Sequence, residues 1–325
     1  MTKLGYQIPN FTYPDTQAAD LFGAVARQAT EADTSGFDTV MVMDHFYQLP
    51  MLGPADLEML ECYTVLAALA QHTSTVRLSA LVTGNTYRNP ALLAKTLTTL
   101  DIVSAGRAQL GIGAGWFELE HDSLGFEFGT FSERFQKLEE ALQIIKAMFA
   151  GERPTLEGTW YQVSDAINSP APLGSIPIMI GGGGEKKTLR LVAQYADESN
   201  LICGADEIGR KLDALAGHCE RLGRDRSEIT VSYQGLACIA PTHDEAVADL
   251  DALFAARGAD LSSMSTDDAA AMRAMVPHGD PGEIGELFST YIASGVDGFT
   301  VSAPANGHIE GRVALLGETL ARVIS

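Results

Sequence analysis

One pattern constrains this chain more than any other: short β-branched runs alternate with helix-period segments from one end to the other. Strand candidates fall at 3–9, 38–43, 76–83, 108–113, 176–181, 199–203, 228–239 and 298–303, eight in all. Helical faces lie between them, at 17–35, 57–72, 90–103, 185–196, 206–222, 242–257 and 307–323. The clearest is TFSERFQKLEEALQIIKAMFAG, where Phe135, Leu138, Leu142, Ile145 and Phe149 recur every three or four residues. Thr130 followed by Glu133 predicts a capping box there, and Gly151 ends the helix. Eight strand-then-helix units predict an α/β fold of the (β/α)8 TIM-barrel type, as a single domain over 1–325. A doubly wound sheet is the competitor, but GIGAGW is not GxGxxG and no glycine fingerprint follows the first strand. Two stretches break the repeat, 151–175 and 258–294, and are read as insertions over the barrel.

Composition narrows the function. Lys and Arg number 22 against 42 Asp and Glu, a formal net charge of −20, and no basic block interrupts it. Nucleic acid is therefore excluded as a partner. No apolar run approaches the roughly 20 residues that span a bilayer, and MTKLGYQIPNF enters a strand pattern without a basic-then-apolar leader. A cytoplasmic protein is expected. Cys62, Cys203, Cys219 and Cys238 are widely spaced, as buried free thiols in a reducing compartment would be.

In a barrel of this kind the active site lies where strands end and the following loops begin. Asp44 and His45 follow the second strand, TGNTYRNP the third, GAGWFELEH the fourth, and four glycines the fifth. Strand six ends at Cys203 and strand eight at Ser302. Gly181 to Gly184 would let an anion reach backbone N–H groups at a helix start, with Lys186, Lys187 and Arg190 adding positive charge. A tight, ligand-free turn is the alternative. His45 at a strand edge could exchange a proton with a ligand, or be a structural ring bonded to a carbonyl. His121 and His308 fall in loops on the same side, whereas His72, His218, His243 and His278 lie in or beside helices. QIPNF after the first strand offers no HxH pair, so a metal is not expected, and no GxSxG elbow is present.

The stretches DHF, TGNTYRNPALLAKTLTTLDIVSAGRAQLGIGAGWFELEH, ERFQKLEEALQIIKAMF and IMIGGGGEKKTLRLVAQYAD resemble the luciferase-like monooxygenase superfamily, in its actinobacterial branch of F420-dependent oxidoreductases. The resemblance covers nearly the whole chain. It implies a bacterial luciferase-like barrel, a homodimer, and a deazaflavin, coenzyme F420, in the barrel mouth, with FMN as the alternative cofactor. It implies that Asp44 and His45 approach the reactive ring and serve as the catalytic pair. It places a bulge with a non-proline cis peptide near Ala80 and Leu81, with Thr83 just beyond, behind the ring. Gly181, Gly182, Gly183, Gly184 and Glu185 correspond to a phosphate turn, and Ala114 and Cys203 line the same groove. Some relatives carry a glutamate after the strand-four glycines, where Trp116 and Phe117 stand here. That departure replaces sugar-phosphate oxidation with an expectation of a partly apolar organic substrate. The reaction implied is hydride transfer between deazaflavin C5 and that substrate. An FMN monooxygenase and a non-catalytic flavin-binding protein are the alternatives.

Overall fold

A computed structural model describes all residues, Met1–Ser325. Eight parallel strands carry the fold: β1 (Leu4–Ile8), β2 (Thr39–Val42), β3 (Arg77–Ala80), β4 (Ala108–Gly113), β5 (Ile178–Gly181), β6 (Glu198–Leu201), β7 (Thr230–Leu236) and β8 (Gly298–Ser302). The sheet order is β3-β2-β1-β8-β7-β6-β5-β4, with a ninth, two-residue strand at Thr83–Gly84 paired to β4, and β3 also pairs with β4, which closes the (β/α)8 barrel. Register is set by apolar partners, such as Leu78 opposite Ala108 and Leu110 opposite Ile178. Burial of nearly every residue of β1, β2, β4 and β8 explains their continuous apolar runs, since a parallel barrel is covered on both faces.

The connecting helices are α1 (Leu21–Thr34), α2 (Cys62–Leu69), α3 (Pro90–Val103), α4 (Glu118–Leu124), α5 (Phe131–Phe149), α6 (Thr188–Tyr195), α7 (Ile208–Leu222), α8 (His243–Ala256), α9 (Thr266–Arg273), α10 (Pro281–Ala293) and α11 (Arg312–Ile324). None of them is long and apolar enough to cross a membrane. The capping box of α5 forms as its sequence requires, with Thr130 and Glu133 exchanging bonds.

The chain divides into two compact units. The first comprises Met41–Phe46 and Leu60–Val231 together with Met1. In it α3 packs on α5 and α6 on α7, and the 151–175 stretch folds as a small hairpin, Leu156–Glu157 against Gln162–Val163. The second comprises Thr2–Val40, Tyr47–Met59 and Ser232–Ser325. There α11 packs on both α1 and α10, and the 258–294 stretch holds α9, a short strand at His278–Gly279 and α10. Its strands bury a polar ladder: Ser302 donates to Gln7 at 2.6 Å and Thr300 donates to Gln234 at 2.7 Å. His308, in the same unit, stacks on Tyr13 with ring centroids 5.5 Å apart, and burial pushes its pKa down.

Candidate active site

The first unit carries the ends of β2 to β6, and two buried carboxylates organise them. Asp44, 1% exposed, accepts from the Gly84 amide at 3.0 Å and takes a two-pronged bond from Arg88 at 2.6 and 2.9 Å. Arg88 also donates to Glu61 at 2.7 Å and lies 4.8 Å over the Tyr63 ring. Burial pushes the Asp44 carboxyl up, against the Arg88 guanidinium and the Gly84 amide, which pull it down. Such a fork fixes geometry as well as charge. It clamps the loop after β3 to the end of β2.

The second carboxylate is Glu120, fully buried on α4. It accepts from the Phe46 amide, from the Tyr87 hydroxyl, and from His45 Nδ1 at 2.9 Å. Burial and the Glu120 charge push the Tyr87 phenol well above its ordinary pKa, so Tyr87 stays a donor. With Nδ1 engaged by a carboxylate, the tautomer and ring plane of His45 are set, and Nε2 is the nitrogen left for other partners. The ring is bracketed edge-on by Trp116 and Phe117, each with centroids 5.7 Å away. Trp116 is 54% exposed.

Val82 joins three strand ends. The non-proline cis peptide is Leu81–Val82, one residue beyond the Ala80–Leu81 position expected. A Cβ on Gly181 would meet Val82 Cγ1 at 2.9 Å, and one on Gly113 would meet Val82 Cγ2 at 3.0 Å. Leu81 and Val82 pack with Met41 and Met179 into an apolar floor. Thr83 is tied to Tyr63, hydroxyl to hydroxyl at 2.5 Å.

The glycine run has reasons inside the protein. Gly181 makes room for Val82; Gly182 sits at φ +116°, which other residues rarely adopt; a Cβ on Gly183 would meet the Ile202 carbonyl at 2.9 Å. The run leads through a turn into α6, whose first turn has no side-chain cap. An anion could take that place. The cation beside it comes from elsewhere in the chain: Lys211 of α7 lies 3.7 Å, at Cε, from the Cβ direction of Gly183 and bonds Glu185 at 3.0 Å. Arg210 bonds the same carboxylate, whose pKa the Lys211 hydrogen bond lowers most.

The profile described as luciferase-like monooxygenase matches residues 2–298. The chain belongs to that family. Among relatives of this luciferase-like chain, the F420-dependent glucose-6-phosphate dehydrogenase of Intrasporangium calvum is 32% identical over 320 residues, spanning 89% of this chain and 92% of that protein. The enzyme of the same description from Microbacterium testaceum is 32% identical over 249 residues, 75% and 70% of the two. An F420-dependent secondary alcohol dehydrogenase, solved with an F420-acetone adduct, superposes with a TM-score of 0.79 at 19% identity, covering 100% of this chain and 99% of its own. The FMN complex of the oxygenating constituent of 3,6-diketocamphane monooxygenase from Pseudomonas putida gives 0.74 at 18%, covering 99% and 98%. Such low identities speak to the luciferase-like fold alone.

Within this luciferase-like barrel, the expected residues take distinct places. Asp44 and His45 are adjacent in sequence but engage separate carboxylate systems, Asp44 with Arg88 and His45 with Glu120. Ala80 is buried behind β4, where a Cβ on Gly111 would strike its carbonyl at 2.1 Å. Ala114 is half-buried at the end of β4. Cys203 is half-buried beside Gly183, its thiol pushed up by burial, while the other three cysteines are buried and free. Glu185 faces Arg210 and Lys211. The expected positive island is dispersed: Arg190 forks onto Glu139 at 2.9 and 2.6 Å, and Lys187 bonds Ser132 at 3.0 Å above Phe131. His121 is a strut, donating to the Phe117 carbonyl at 2.8 Å and paired with Thr86 at 2.6 Å. Sequence reasoning missed Glu120, Tyr87, Val82 and Lys211. The acids at Glu118 and Glu120 before Gly125 suit a short helix, but nothing local marks the partners that Glu120 meets.

Proposed function

We propose that this protein is an F420-dependent oxidoreductase that interconverts an alcohol and a carbonyl on a small, partly apolar organic substrate. The observation that carries the reading is the His45–Glu120 pair at the end of β2, in a chain 32% identical to F420-dependent dehydrogenases over most of its length. The residues fit the cofactor. Leu81 and Val82 offer an apolar floor for a flat ring, Gly182 to Gly184 and the uncapped start of α6 receive a phosphate, and Lys211 and Arg210, paired with Glu185 and Glu207, would exchange those partners for anionic groups beyond it. The bound deazaflavin supplies hydride acceptance or donation at C5.

The chain supplies the rest. His45 Nε2 takes the proton that a substrate hydroxyl loses on oxidation, or returns one to a carbonyl on reduction. Glu120 balances the imidazolium that results, and Tyr87 and the Phe46 amide hold Glu120 in place. Asp44 acts as a positioning residue through Arg88 and Gly84. Trp116 and Ile202, 54% and 60% exposed, favour apolar substituents on the substrate. The test is a side-by-side fluorescence titration of purified protein. Coenzyme F420 should bind at least about tenfold more tightly than FMN, a margin of about 1.4 kcal/mol. Equal or tighter binding of FMN, with oxygen consumed on reduction, would replace this reading with an FMN monooxygenase.

A further inference from the structure

A cleft lies against Tyr87 and Arg88, and the 151–175 hairpin supplies its Trp160 and Tyr161 side. Glu140 of α5 accepts the backbone amides of Thr159, Trp160 and Tyr161 at 2.8, 2.9 and 3.0 Å, which pins the hairpin turn onto the helix. Trp160 is steadied by its indole N–H donating to Gln136 at 3.3 Å. Tyr161 is turned to Asn85, and burial raises its phenol. The open cleft has a volume of about 300 Å³ and is lined by Lys137, Glu127, Arg88, Trp160, Tyr161 and Tyr87 among others.

The charges in this cleft are unusual for the molecule. Two cations face one carboxylate in a chain whose net charge is −20. The Arg88 guanidinium is already matched by Asp44 and Glu61. Lys137 is different: its side chain is 8% exposed, its ammonium lies 4.9 Å from the Trp160 ring, and its ion-pair partner Glu127, at 3.1 Å, is 75% exposed. A nearly buried ammonium is costly without a desolvated counter-charge, and a solvated surface carboxylate is a weak one. Aromatic walls around a cation suit a flat ring that carries its own anion.

We infer that this cleft, which borders the candidate active site through Tyr87 and Arg88, is a ligand site for a small aromatic carboxylate. The ligand's carboxylate replaces that of Glu127 on Lys137, and its ring packs against Trp160 and Tyr161. No covalent step is involved, and the inference does not rest on the proposed hydride chemistry.

The chain has two tryptophans, so a W116F background leaves Trp160 as the sole reporter beside the cleft. In that background benzoate should change the emission saturably near the millimolar range expected of so small a ligand. Benzamide, the neutral isostere, should bind at least about tenfold more weakly, because it lacks the charge that Lys137 meets. Lys137→Met should weaken benzoate by a similar factor. Glu127→Gln, at an exposed position that leaves folding intact, should tighten benzoate roughly threefold by removing the competitor. Benzamide binding as well as benzoate, Glu127→Gln leaving affinity unchanged, or no saturable response at all would overturn the inference. A response that appears only when the protein is diluted into monomers would overturn it in favour of a copy-to-copy interface.

Discussion

At the scale of single residues, His45 is defined by what stands behind it. An imidazole at a strand edge rotates and exchanges tautomers; one bonded at 2.9 Å to a buried carboxylate does neither. His45→Ala should therefore lower turnover by about 10² to 10⁴-fold while cofactor affinity moves less than about threefold, because general acid–base work is lost and the cofactor cradle is not. Unaltered turnover on a good substrate would reduce His45 to a packing residue. Glu120→Gln keeps the shape and removes the charge. A hydrogen bond to a charged group is worth about 1.5 to 3 kcal/mol, so kcat should fall roughly 10 to 100-fold with KM little changed. A loss confined to thermal stability would make Glu120 structural only. Asp44 and His45 were legible as candidates because they directly follow a strongly apolar strand, the place where a barrel positions its loops. Glu120 was not, because its partners Phe46 and Tyr87 are 74 and 33 residues away in sequence, and no local pattern reports that. Likewise His121 looks like a mouth residue in sequence, yet bonds to Phe117 and Thr86 make it a strut.

At the scale of elements, the eight strands fall within about two residues of the apolar runs that predicted them, apart from the third run, which stops at Ala80 and resumes at Thr83–Gly84, and the long seventh, which breaks into β7 and a short Cys238–Ile239 strand. What escaped was short or irregular: α4, with too few turns to show a period, and the hairpin at 156–163, whose turn is held by Glu140 of α5 as well as by its own Gly158–Tyr161 bond. The glycine turn sits between these cases. Its existence was plain, but the reason for each glycine lies in distant neighbours, Val82 and the Ile202 carbonyl. This changes how the turn should be tested, since any side chain at Gly183 moves backbone before it meets an anion. Gly183→Ala should cost about 1 to 3 kcal/mol of stability by overpacking and weaken cofactor binding at least about tenfold. Gly174→Ala, where a Cβ meets nothing within 4 Å, should do neither. Equal behaviour of the two variants in urea melts and titrations would show that the close approach at Ile202 is not what demands glycine.

At the scale of the whole molecule, the proposed function asks a chain of net charge −20 to hold a cofactor that carries a phosphate and a carboxylate-rich tail. Two effects of opposite sign follow. The diffuse charge repels the ligand over long distances, and salt relieves this as the screening length falls from about 30 Å at 0.01 M to about 8 Å at 0.15 M. On the proposed placement the cations beside the glycine turn would attract it at contact, and salt would weaken that attraction, though less for a side chain only 12% exposed, as Lys211 is. Affinity of the intact protein therefore mixes the two and is a poor measure of either. A ratio separates them, because the diffuse field is nearly the same in a protein that lacks one lysine. Lys211→Ala should weaken F420 binding about tenfold or more at low salt, and the ratio of mutant to parent Kd should shrink steadily as salt rises toward 0.5 M. Lys187→Ala, whose ammonium is turned to Ser132 and lies over Phe131, should show a ratio near one throughout. Should Lys187 instead carry the larger, salt-sensitive ratio, the anion is held on the α5 side of the turn and the assignment to Lys211 fails.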